Sequence, residues 1–598
     1  MPGYKDFVPR QSFQPTLALS PDATLVAYSG NTSGQYDLWI VPATGGESRR
    51  LTDLAGQAVR NVAWSPDGKY LVFTADREGD EQYRLYRVGV DDEQPIDIST
   101  GPHCQRVLAS SPFDASGRFL AYAANDRDRA VQDVLVRDLD DDSERRFIPP
   151  PGVVFEPAEI SPDGRWLLTA GFRSNSDVAL YLIDLQSKAE PFCVTSRHGE
   201  GLYEPGPWMA DSSGFHLITD RWGEFKAVGR YLIDEGTLEP VVQHDWDVEH
   251  IDAAGDTLLW SVNQDGRSIL HARHDGEPLP IPPLPSGVIT AGALAPGASP
   301  VAVLLDSATR PTEIVVLAPE DGPRYLTDTR PPAIKTITAV EPESVVYPAS
   351  AGRRVHALLY RPNQPGPHPV VLSIHGGPEA QERPRYARRG LYQYLLDRGV
   401  AVFAPNIAGS TGYGRSHQRL IYRDWGGIDL DDLDHATRYL QDAPDLDADR
   451  VAVMGGSYGG FAALSCLARL PFTWAAGVSI CGPTNLLTLA QACPPTWRHF
   501  VDVVLGNPET DAQHLTDRSP VTYADNITAP LLILQGARDP RVPQAESDQL
   551  VHRLRSRGVD VLYNVYADEG HGFTNRANEV QAHEEIADFL IRHLLTSR

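Results

Sequence analysis

A single serine stands between two pairs of glycines, directly after a short apolar run. The stretch is VAVMGGSYGGFAALSCLA, residues 451–468, and Gly455, Ser457 and Gly459 form the pattern G-x-S-x-G. Where this pattern joins a strand to a helix, the glycines allow a tight turn that exposes the serine hydroxyl as a nucleophile. The apolar residues before Ser457 predict the strand, and the residues after it predict the helix. The alternative is a structural turn filled by a small residue, so Ser457 needs partners elsewhere in the chain.

Two later residues have the types and positions that such partners require. A nucleophilic serine needs a base to accept its proton and an acid to orient that base. Asp539 ends the apolar stretch in APLLILQGARDPRVP, residues 529–543, and His571 follows another in VLYNVYADEGHGF, residues 561–573. Open parallel sheets bind ligands beyond the carboxyl ends of their strands, and the order Ser, Asp, His fits such a sheet. The sequence therefore predicts a catalytic triad of Ser457, Asp539 and His571.

Attack on a carbonyl creates an oxyanion, which needs N–H donors worth about 3–4 kcal/mol each. The backbone of Tyr458, the residue after the serine, is predicted to supply one donor. Gly377, in the HGGP motif that follows the apolar stretch VVLSI, is predicted to supply the other. An ordinary turn is the alternative for Gly377. We interpret His375, in the same loop, as a hydrogen-bonded anchor and not as a second base.

Bulk composition limits the classes of function. The chain has 598 residues and a net charge of −26, so we expect several domains and neither a nucleic acid nor an anionic membrane as partner. The first residues lack the apolar stretch of a signal peptide, and five cysteines are scattered without the spacing of metal ligands. We expect a cytoplasmic protein without a metal or cofactor.

The first half of the chain repeats. LALSPDATLVAYSG at residue 17 returns 45 residues later as VAWSPDGKYLVFTA, and again as AEISPDGRWLLTAG at residue 158. Each unit contains strands separated by Asp/Gly turns, which is the length and content of a β-propeller blade. About seven units fit before residue 335, and a β-sandwich array is the alternative. We assign the turn aspartates no chemistry, because their position explains them structurally.

From about residue 340, short apolar runs such as VAVFAPN alternate with longer amphipathic stretches such as LDHATRYLQDA. This alternation predicts a parallel sheet covered by helices. The predicted fold is an N-terminal all-β propeller of about seven blades followed by a C-terminal α/β-hydrolase domain with a doubly wound, mostly parallel sheet. We expect an extension over 1–14 that packs on the hydrolase domain, the propeller over 15–335 and the hydrolase domain over 336–598.

These motifs together resemble the prolyl oligopeptidase family of serine peptidases, and within it the acylaminoacyl-peptidase branch. The resemblance rests on HGGP, GSTGYG (409–414), GGSYGG, DPRVP (539–543) and GHGF (570–573) in the second half and on architecture over 15–335. It implies a serine exopeptidase that acts on short peptides and releases N-acylated amino acids, with the propeller restricting access. It also implies that Arg541 holds a substrate carbonyl or acyl group and that the chain forms a homo-oligomer.

Two departures from the family pattern raise alternatives. Ala408 stands before GSTGYG, where relatives often have an arginine. The segment after HGGP carries Arg383, Arg385, Arg388 and Arg389. Such a cluster is either a solvated face or a recognition site for a free C-terminal carboxylate, which would make the enzyme carboxypeptidase-like.

The substrate class and the kind of activity leave several interpretations open. Dipeptidyl-peptidase action would need paired acids on the propeller, and the acidic residues at 78–81 are better explained by a blade turn. An oligopeptidase, a carboxylesterase and a binding propeller with an inactive hydrolase half also remain open. The segment 481–504 is expected to wall the pocket for the scissile residue, with three candidate lining residues: Leu486, Trp497 and Phe500.

Overall fold

The computed structural model describes residues 2–92, 94–187, 189–195, 201–295, 299–318 and 322–596. Antiparallel strands β1 to β28 form seven consecutive units of four strands, two of which are joined edge to edge into one sheet. In chain order the strands are Phe13–Leu19, Leu25–Gly30, Asp37–Pro42, Arg49–Arg50, Gln57–Trp64, Tyr70–Arg77, Arg84–Gly89, Ile96–Asp97, Arg106–Phe113, Phe119–Ala124, Asp133–Asp138, Glu144–Phe147, Val154–Ile160, Trp166–Ser174, Asp177–Asp184, Phe192–Cys193, Tyr203–Trp208, Gly214–Thr219, Ala227–Leu232, Thr237–Val242, Val248–Ala254, Thr257–Gln264, Arg267–His274, Glu277–Pro278, Val288–Leu294, Val301–Ser307, Arg310–Ala318 and Gly322–Tyr325.

The repeated Ser-Pro-Asp turns join the first and second strands of three units. In each turn the carboxylate accepts a hydrogen bond from the serine two residues before it, at 2.6 Å for Asp22, 2.8 Å for Asp67 and 2.5 Å for Asp163. A side-chain oxygen that bonds within its own turn favours the reversal over an extended chain. These aspartates therefore hold the hairpins that the repeat predicts.

The first and last units pack against each other and close a ring. Val26 and Tyr28 of the first unit share an apolar cluster with Leu304 and Val316 of the last unit. In a closed ring, each four-stranded unit packs against a neighbouring unit on both sides. Seven units closed in this way form the predicted propeller.

The second half forms one sheet of eight strands with the order β29-β30-β32-β31-β33-β34-β35-β36. Strands β29 and β30 are antiparallel to their neighbours, and the strands from β32 to β36 run parallel. In chain order, β29 to β36 are Glu343–Pro348, Arg354–Tyr360, His368–Ile374, Ala401–Asn406, Leu446–Gly456, Ala476–Ile480, Leu531–Gly536 and Val561–Tyr566. Helices α1 to α9 are Leu391–Asp397, Arg415–Arg419, Ile428–Asp442, Tyr458–Arg469, Leu486–Ala492, Arg498–Val504, Ala512–Arg518, Gln544–Ser556 and Arg576–Leu595.

The unbroken apolar runs of this half follow from burial on both faces of the sheet. In β33, Val451 and Val453 belong to one core cluster, whereas Ala452 and Met454 belong to a second cluster. Successive side chains of a strand point to opposite faces, so a strand covered by helices on both sides has no polar face. The predicted α/β-hydrolase fold is confirmed.

Residues before the first blade contact the second half of the chain. A short 3-10 helix, Tyr4–Phe7, places the ring of Phe7 5.6 Å from that of Tyr394. The hydroxyl of Tyr386 donates a hydrogen bond to the carbonyl oxygen of Phe7 at 2.8 Å. The N-terminal segment thus connects the two parts of the molecule.

Across the part of the chain that the structure describes, no helix combines the length and apolar character needed to cross a membrane.

Candidate active site

Ser457 lies in a strained turn between β33 and α4. Its φ of 55° and ψ of −125° are rare for a residue with a side chain, and such strain costs about 1–3 kcal/mol. The glycine at position 459 is required by close packing, since a Cβ there would lie 2.3 Å from the carbonyl oxygen of Ile374. The turn therefore lifts the hydroxyl of Ser457 above the carboxyl end of the sheet, as the G-x-S-x-G pattern predicts.

The structure brings Ser457, His571 and Asp539 into one chain of contacts. Ser457 Oγ lies 2.9 Å from His571 Nε2, and His571 Nδ1 lies 2.7 Å from Asp539 Oδ2. Asp539 follows β35 and His571 follows β36, the two strands next in the sheet after β33 and β34. Both distances are within hydrogen-bond range, so a proton can pass from serine to histidine while the carboxylate holds the ring.

The carboxylate of Asp539 has a fixed orientation. Its side chain is buried, and Oδ1 accepts hydrogen bonds from the backbone N–H groups of Arg541 and Val542, each at 2.9 Å. Oδ2 is then the oxygen left for His571. Burial disfavours the charged imidazolium, whereas Cys481 and Asp539 beside the ring favour it, and the net effect raises the pKa of His571.

Glu569 holds the loop that carries His571. Its carboxylate accepts hydrogen bonds from the backbone N–H groups of Thr574 at 2.7 Å and Asn575 at 3.1 Å. The buried side chain lies two residues before His571 and ties both ends of the loop together. We did not single out Glu569 from the sequence. Its place in ADEGHGF, two residues before His571, could have indicated a role in holding this loop.

The loop after β31 lies against the serine turn. A Cβ on Gly376 would lie 3.6 Å from that of Ser457, which places the glycine pair beside the nucleophile. Gly377 has a φ of 127°, a conformation that favours glycine. The N–H of Tyr458 is among the first of α4, where no helical carbonyl is available to accept from it. One candidate oxyanion donor therefore starts α4 directly after Ser457, and the other lies in the loop beside Ser457.

Two side chains beside these donors serve the scaffold. The phenol of Tyr458 donates a hydrogen bond of 2.6 Å to the buried carboxylate of Asp429, below the turn. His375 Nε2 lies 2.9 Å from Ser410 Oγ, and burial lowers the pKa of this histidine to about 4. A neutral, fully engaged His375 is the loop anchor that we predicted.

A propeller turn reaches over the site beside Arg541. Arg541 Nε lies 2.7 Å from Glu81 Oε1, and its guanidinium lies 5.2 Å from the ring centre of Trp497. A cavity of about 260 Å³ borders this pair and is lined by Glu81, Trp497 and Pro540, among others. In the same turn a Cβ on Gly79 would lie 2.8 Å from the backbone nitrogen of Gly570, next to His571.

The other acids of that turn are also paired. Glu78 forms an ion pair with Arg538, and Asp80 Oδ2 lies 3.1 Å from His103 Nε2. The sequence indicated a blade turn here, and the residues do connect β6 with β7. The sequence did not indicate that this turn lies against the His571 loop, because only the fold brings the two together.

Of the candidate pocket residues, Trp497 alone lines this cavity. Leu486 is 1% exposed and belongs to the core cluster of the α/β domain, so the prediction that it contacts substrate was wrong. Phe500 packs half-buried against the same cluster. Leu486 is the first residue of α5, and its side chain is buried in the core. The apolar pattern of the sequence alone does not distinguish a core residue from a pocket residue.

The arginine cluster after HGGP is neither a solvated face nor an open carboxylate site. Three of its guanidinium groups already have carboxylate partners: Arg383 with Glu249 at 2.7 Å, Arg385 with Asp306 at 3.1 Å and Arg389 with Glu579 at 2.5 Å. Glu249 and Asp306 belong to the propeller, so the first two pairs join the domains. Arg388 donates from Nη2 to the carbonyl oxygen of Ile374 at 3.2 Å. These contacts hold the structure, and they count against the alternative in which the cluster recognises a free carboxylate.

Ala408 also serves the loop packing. It is fully buried, and its N–H donates a hydrogen bond to Asp432 Oδ2 at 2.9 Å. Asp432 is paired with Arg353 through both guanidinium nitrogens of the fork. The guanidinium of Arg353 thus lies next to the loop that carries Ala408.

Comparison with known proteins gives the same picture. Residues 388–597 match the prolyl oligopeptidase family, Peptidase_S9, and residues 9–190 match the TolB beta propeller domain. A relative from Pseudoxanthomonas mexicana, "Dipeptidyl aminopeptidase BIII", is 29% identical over 97% of this chain and 86% of its own length. The "Acylamino-acid-releasing enzyme" of Rattus norvegicus is 27% identical over 40% of this chain and 34% of its own length.

A solved structure has the same two-part fold. A puromycin-hydrolyzing peptidase from Mycobacterium tuberculosis superposes with a TM-score of 0.84 at 18% identity, covering 100% of this chain and 96% of its own. This likeness supports the architecture. The sequence matches show a serine peptidase whose α/β domain matches the prolyl oligopeptidase family over residues 388–597.

Proposed function

We propose that Ser457 is the nucleophile of this peptidase, His571 its general base and Asp539 the group that orients His571. The observation that carries the proposal is the unbroken series of contacts from Asp539 through His571 to Ser457, at 2.7 and 2.9 Å. Ser457 Oγ attacks the scissile carbonyl carbon while His571 Nε2 takes its proton. His571 then returns that proton to the leaving amine, and water releases the acyl group from Ser457 by the reverse path.

The oxyanion of each tetrahedral intermediate is stabilised by the backbone N–H groups of Tyr458 and Gly377. Tyr458 supports this role because its N–H lies at the start of α4, where the helix dipole also favours negative charge. Gly377 supports it through the position of its loop beside the serine turn. Donors that are already held in place need not be reoriented when the negative charge develops, so no free energy is lost to reorganisation.

The substrate is a short peptide from which the enzyme removes an N-acylated amino acid. The turn that carries Gly79 lies on the His571 loop and limits the length of chain that fits on the N-terminal side of the scissile bond. Glu81, Asp80 and Glu78 each have a cationic or histidine partner. A neutral acyl end therefore suits this region better than an ammonium group, and the 40% exposed side chain of Arg541 can donate to its carbonyl.

Release of an N-terminal dipeptide is the second candidate, and the position of Glu81 favours it. Its carboxylate lies on the propeller beside the cavity, where a free amine could replace Arg541 as its partner. The full-length relative named dipeptidyl aminopeptidase agrees with this candidate. The carboxypeptidase-like alternative loses its support because Arg383, Arg385 and Arg389 are engaged with carboxylates.

Kinetics on paired substrates test the choice. We would compare kcat/KM for an N-acetyl-aminoacyl p-nitroanilide with that for a dipeptidyl p-nitroanilide bearing a free amine and the same scissile residue. Removal of an N-acylated residue predicts a higher value for the acetylated substrate. A higher value for the free amine would overturn that proposal and favour dipeptide release.

The variant Glu81→Gln separates the two recognition modes. If Glu81 binds an ammonium group, its loss lowers kcat/KM for the free amine by a factor of about 10 to 100, the value of a charged hydrogen bond, and spares the acetylated substrate. If Glu81 only orients Arg541, both substrates lose activity together. Glu277→Gln, an exposed change on the propeller, is the matched control.

Ser457→Ala tests the triad itself. The variant is expected to lose turnover of both substrates and covalent labelling by a fluorophosphonate, while its fold remains intact. Near-normal turnover by this variant would remove Ser457 from the proposed mechanism.

A further inference from the structure

One sulfur atom lies beside the triad and has no part in the proposed reaction. Cys481 follows β34, and its φ of 43° turns the side chain out of the strand direction at the carboxyl edge of the sheet. Its N–H donates a hydrogen bond of 2.8 Å to the carbonyl oxygen of Leu534, and its Sγ lies 3.9 Å from the carbonyl oxygen of His571. The backbone on both sides therefore holds this thiol against the His571 loop.

The thiol completes a group of three potential metal ligands. Cys481 Sγ, a ring nitrogen of His571 and a carboxylate oxygen of Asp539 all lie within 4.8 Å of one another. Among the residues that the structure describes, no other set of three cysteine, histidine or acidic side chains meets this distance. Cys481 and Asp539 are buried, and the His571 side chain is 14% exposed. The group thus combines a soft sulfur, an imidazole and a carboxylate in largely buried surroundings.

We propose that Cys481, His571 and Asp539 form an inhibitory binding site for Zn²⁺. Zinc takes cysteine sulfur, histidine nitrogen and carboxylate oxygen in tetrahedral geometry, and three protein ligands leave the fourth position for water. Mg²⁺ and Ca²⁺ require more oxygen ligands than the group offers. The ligand types therefore select zinc or a similar thiophilic divalent cation.

The distances require only small movements. Tetrahedral zinc separates its ligand atoms by about 3.4–3.6 Å, from bond lengths of about 2.0–2.3 Å. The contact between His571 Nδ1 and Asp539 Oδ2, now 2.7 Å, would widen, and a separation at the 4.8 Å limit of the group would shorten by about 1.2 Å. Rotation of the Cys481 side chain, which has one rotatable bond to its sulfur, supplies a shift of this size.

Binding stops catalysis through the same atoms. On coordination Cys481 gives its proton to solvent, because the thiolate is the form that binds metal. Zinc on Nδ1 of His571 replaces the proton that faces Asp539 and leaves the ring proton on Nε2, whereas zinc on Nε2 occupies the electron pair that faces Ser457. In neither form can His571 accept the proton of Ser457. No bond to substrate changes and no electron is transferred, so removal of the metal by a chelator restores the enzyme.

Inhibition of the full-length enzyme by Zn²⁺ gives the first test. The wild type is expected to lose p-nitroanilide hydrolysis in the presence of Zn²⁺ but not Mg²⁺, with recovery on addition of EDTA. Each variant is compared with its own rate without metal. Cys481→Ser and Cys481→Ala are expected to raise the half-inhibitory Zn²⁺ concentration by a factor of about 10 or more, since even loss of a group that merely supports a ligand costs about 10- to 100-fold.

Cys193→Ser is the matched control. Cys193 lies in the propeller strand Phe192–Cys193 and is partly buried. This variant should keep the zinc sensitivity of the wild type. Equal sensitivity of the wild type and both Cys481 variants would overturn the proposal, as would a wild type insensitive to Zn²⁺.

A binding measurement makes the test independent of peptidase activity. Ser457→Ala keeps all three proposed ligands, and titration with Co²⁺ as a spectroscopic probe is expected to produce a sulfur-to-cobalt charge-transfer band at one equivalent. The double variant Ser457→Ala, Cys481→Ser should lack this band. Absence of the band from Ser457→Ala would overturn the zinc site even if the proposed peptidase function holds, and its presence would support the site even if that function fails.

Discussion

Replacement of Asp539 by asparagine tests the geometry of the proposed triad. Asp539 Oδ1 accepts hydrogen bonds from the N–H groups of Arg541 and Val542, so the amide oxygen of an asparagine must take that side. The amide NH₂ then faces His571 Nδ1 at the present separation of 2.7 Å. A donor in that position forces Nδ1 to accept and places the ring proton on Nε2. His571 then cannot accept the proton of Ser457.

The expected cost follows from the loss of the general base. A wrong tautomer lowers kcat by about 10⁴, which corresponds to about 5 kcal/mol of transition-state free energy. Flipping the amide does not rescue the variant, because its NH₂ would then face two backbone N–H donors. Such unsatisfied contacts between buried donors cost about 1–3 kcal/mol each.

The assay is hydrolysis of a p-nitroanilide under saturating conditions, with circular dichroism to check the fold. Asp548→Asn, in α8, is the control because this exposed carboxylate bonds to the hydroxyl of Tyr563 outside the site. It should retain the wild-type kcat. A value for Asp539→Asn within tenfold of the wild type would refute the assigned role of Asp539.

The same contacts support three further predictions. Because the pKa of His571 is raised and only the neutral ring is a base, the acidic limb of kcat/KM should have its midpoint above pH 6.5; a midpoint at or below that value contradicts the assigned environment. Tyr458→Phe removes the donor of the buried Asp429 carboxylate and should lower the free energy of unfolding by about 1–3 kcal/mol in a denaturant titration, and an unchanged midpoint would disprove the bond's contribution. Gly459→Ala should abolish turnover, because its Cβ would lie 2.3 Å from the carbonyl oxygen of Ile374, whereas Gly223→Ala, with open space around it, should behave as the wild type; equal activities of the two variants would contradict the packing argument.

Local patterns were sufficient for the architecture. The Ser-Pro-Asp turns and the unbroken apolar runs predicted the propeller and the parallel sheet, and both are confirmed. These features depend on neighbouring residues: a turn aspartate bonds two residues away, and a strand buried on both faces must be apolar at every position. The motifs around Ser457, Asp539 and His571 likewise indicated the family whose model matches residues 388–597, and the triad prediction has the geometry that it requires.

Tertiary structure decided which residues surround that triad. The pair between Glu81 and Arg541 joins residues 460 positions apart, and Cys481 lies 90 positions before His571. Contacts over such separations leave no periodicity or spacing in the chain. The partners of Arg383 and Arg385 lie on the propeller for the same reason, and a local interpretation of the arginine cluster was wrong.

The sequence by itself determined the two folds, the order of the proposed catalytic groups and the serine turn, because each depends on short-range geometry. Only the tertiary structure decided the charge partners of Arg541, the reach of the propeller turn to Gly570 and the position of Cys481 beside His571. Domain packing brings these groups together, and its physical basis is complementarity between distant surfaces, which no single stretch of sequence records.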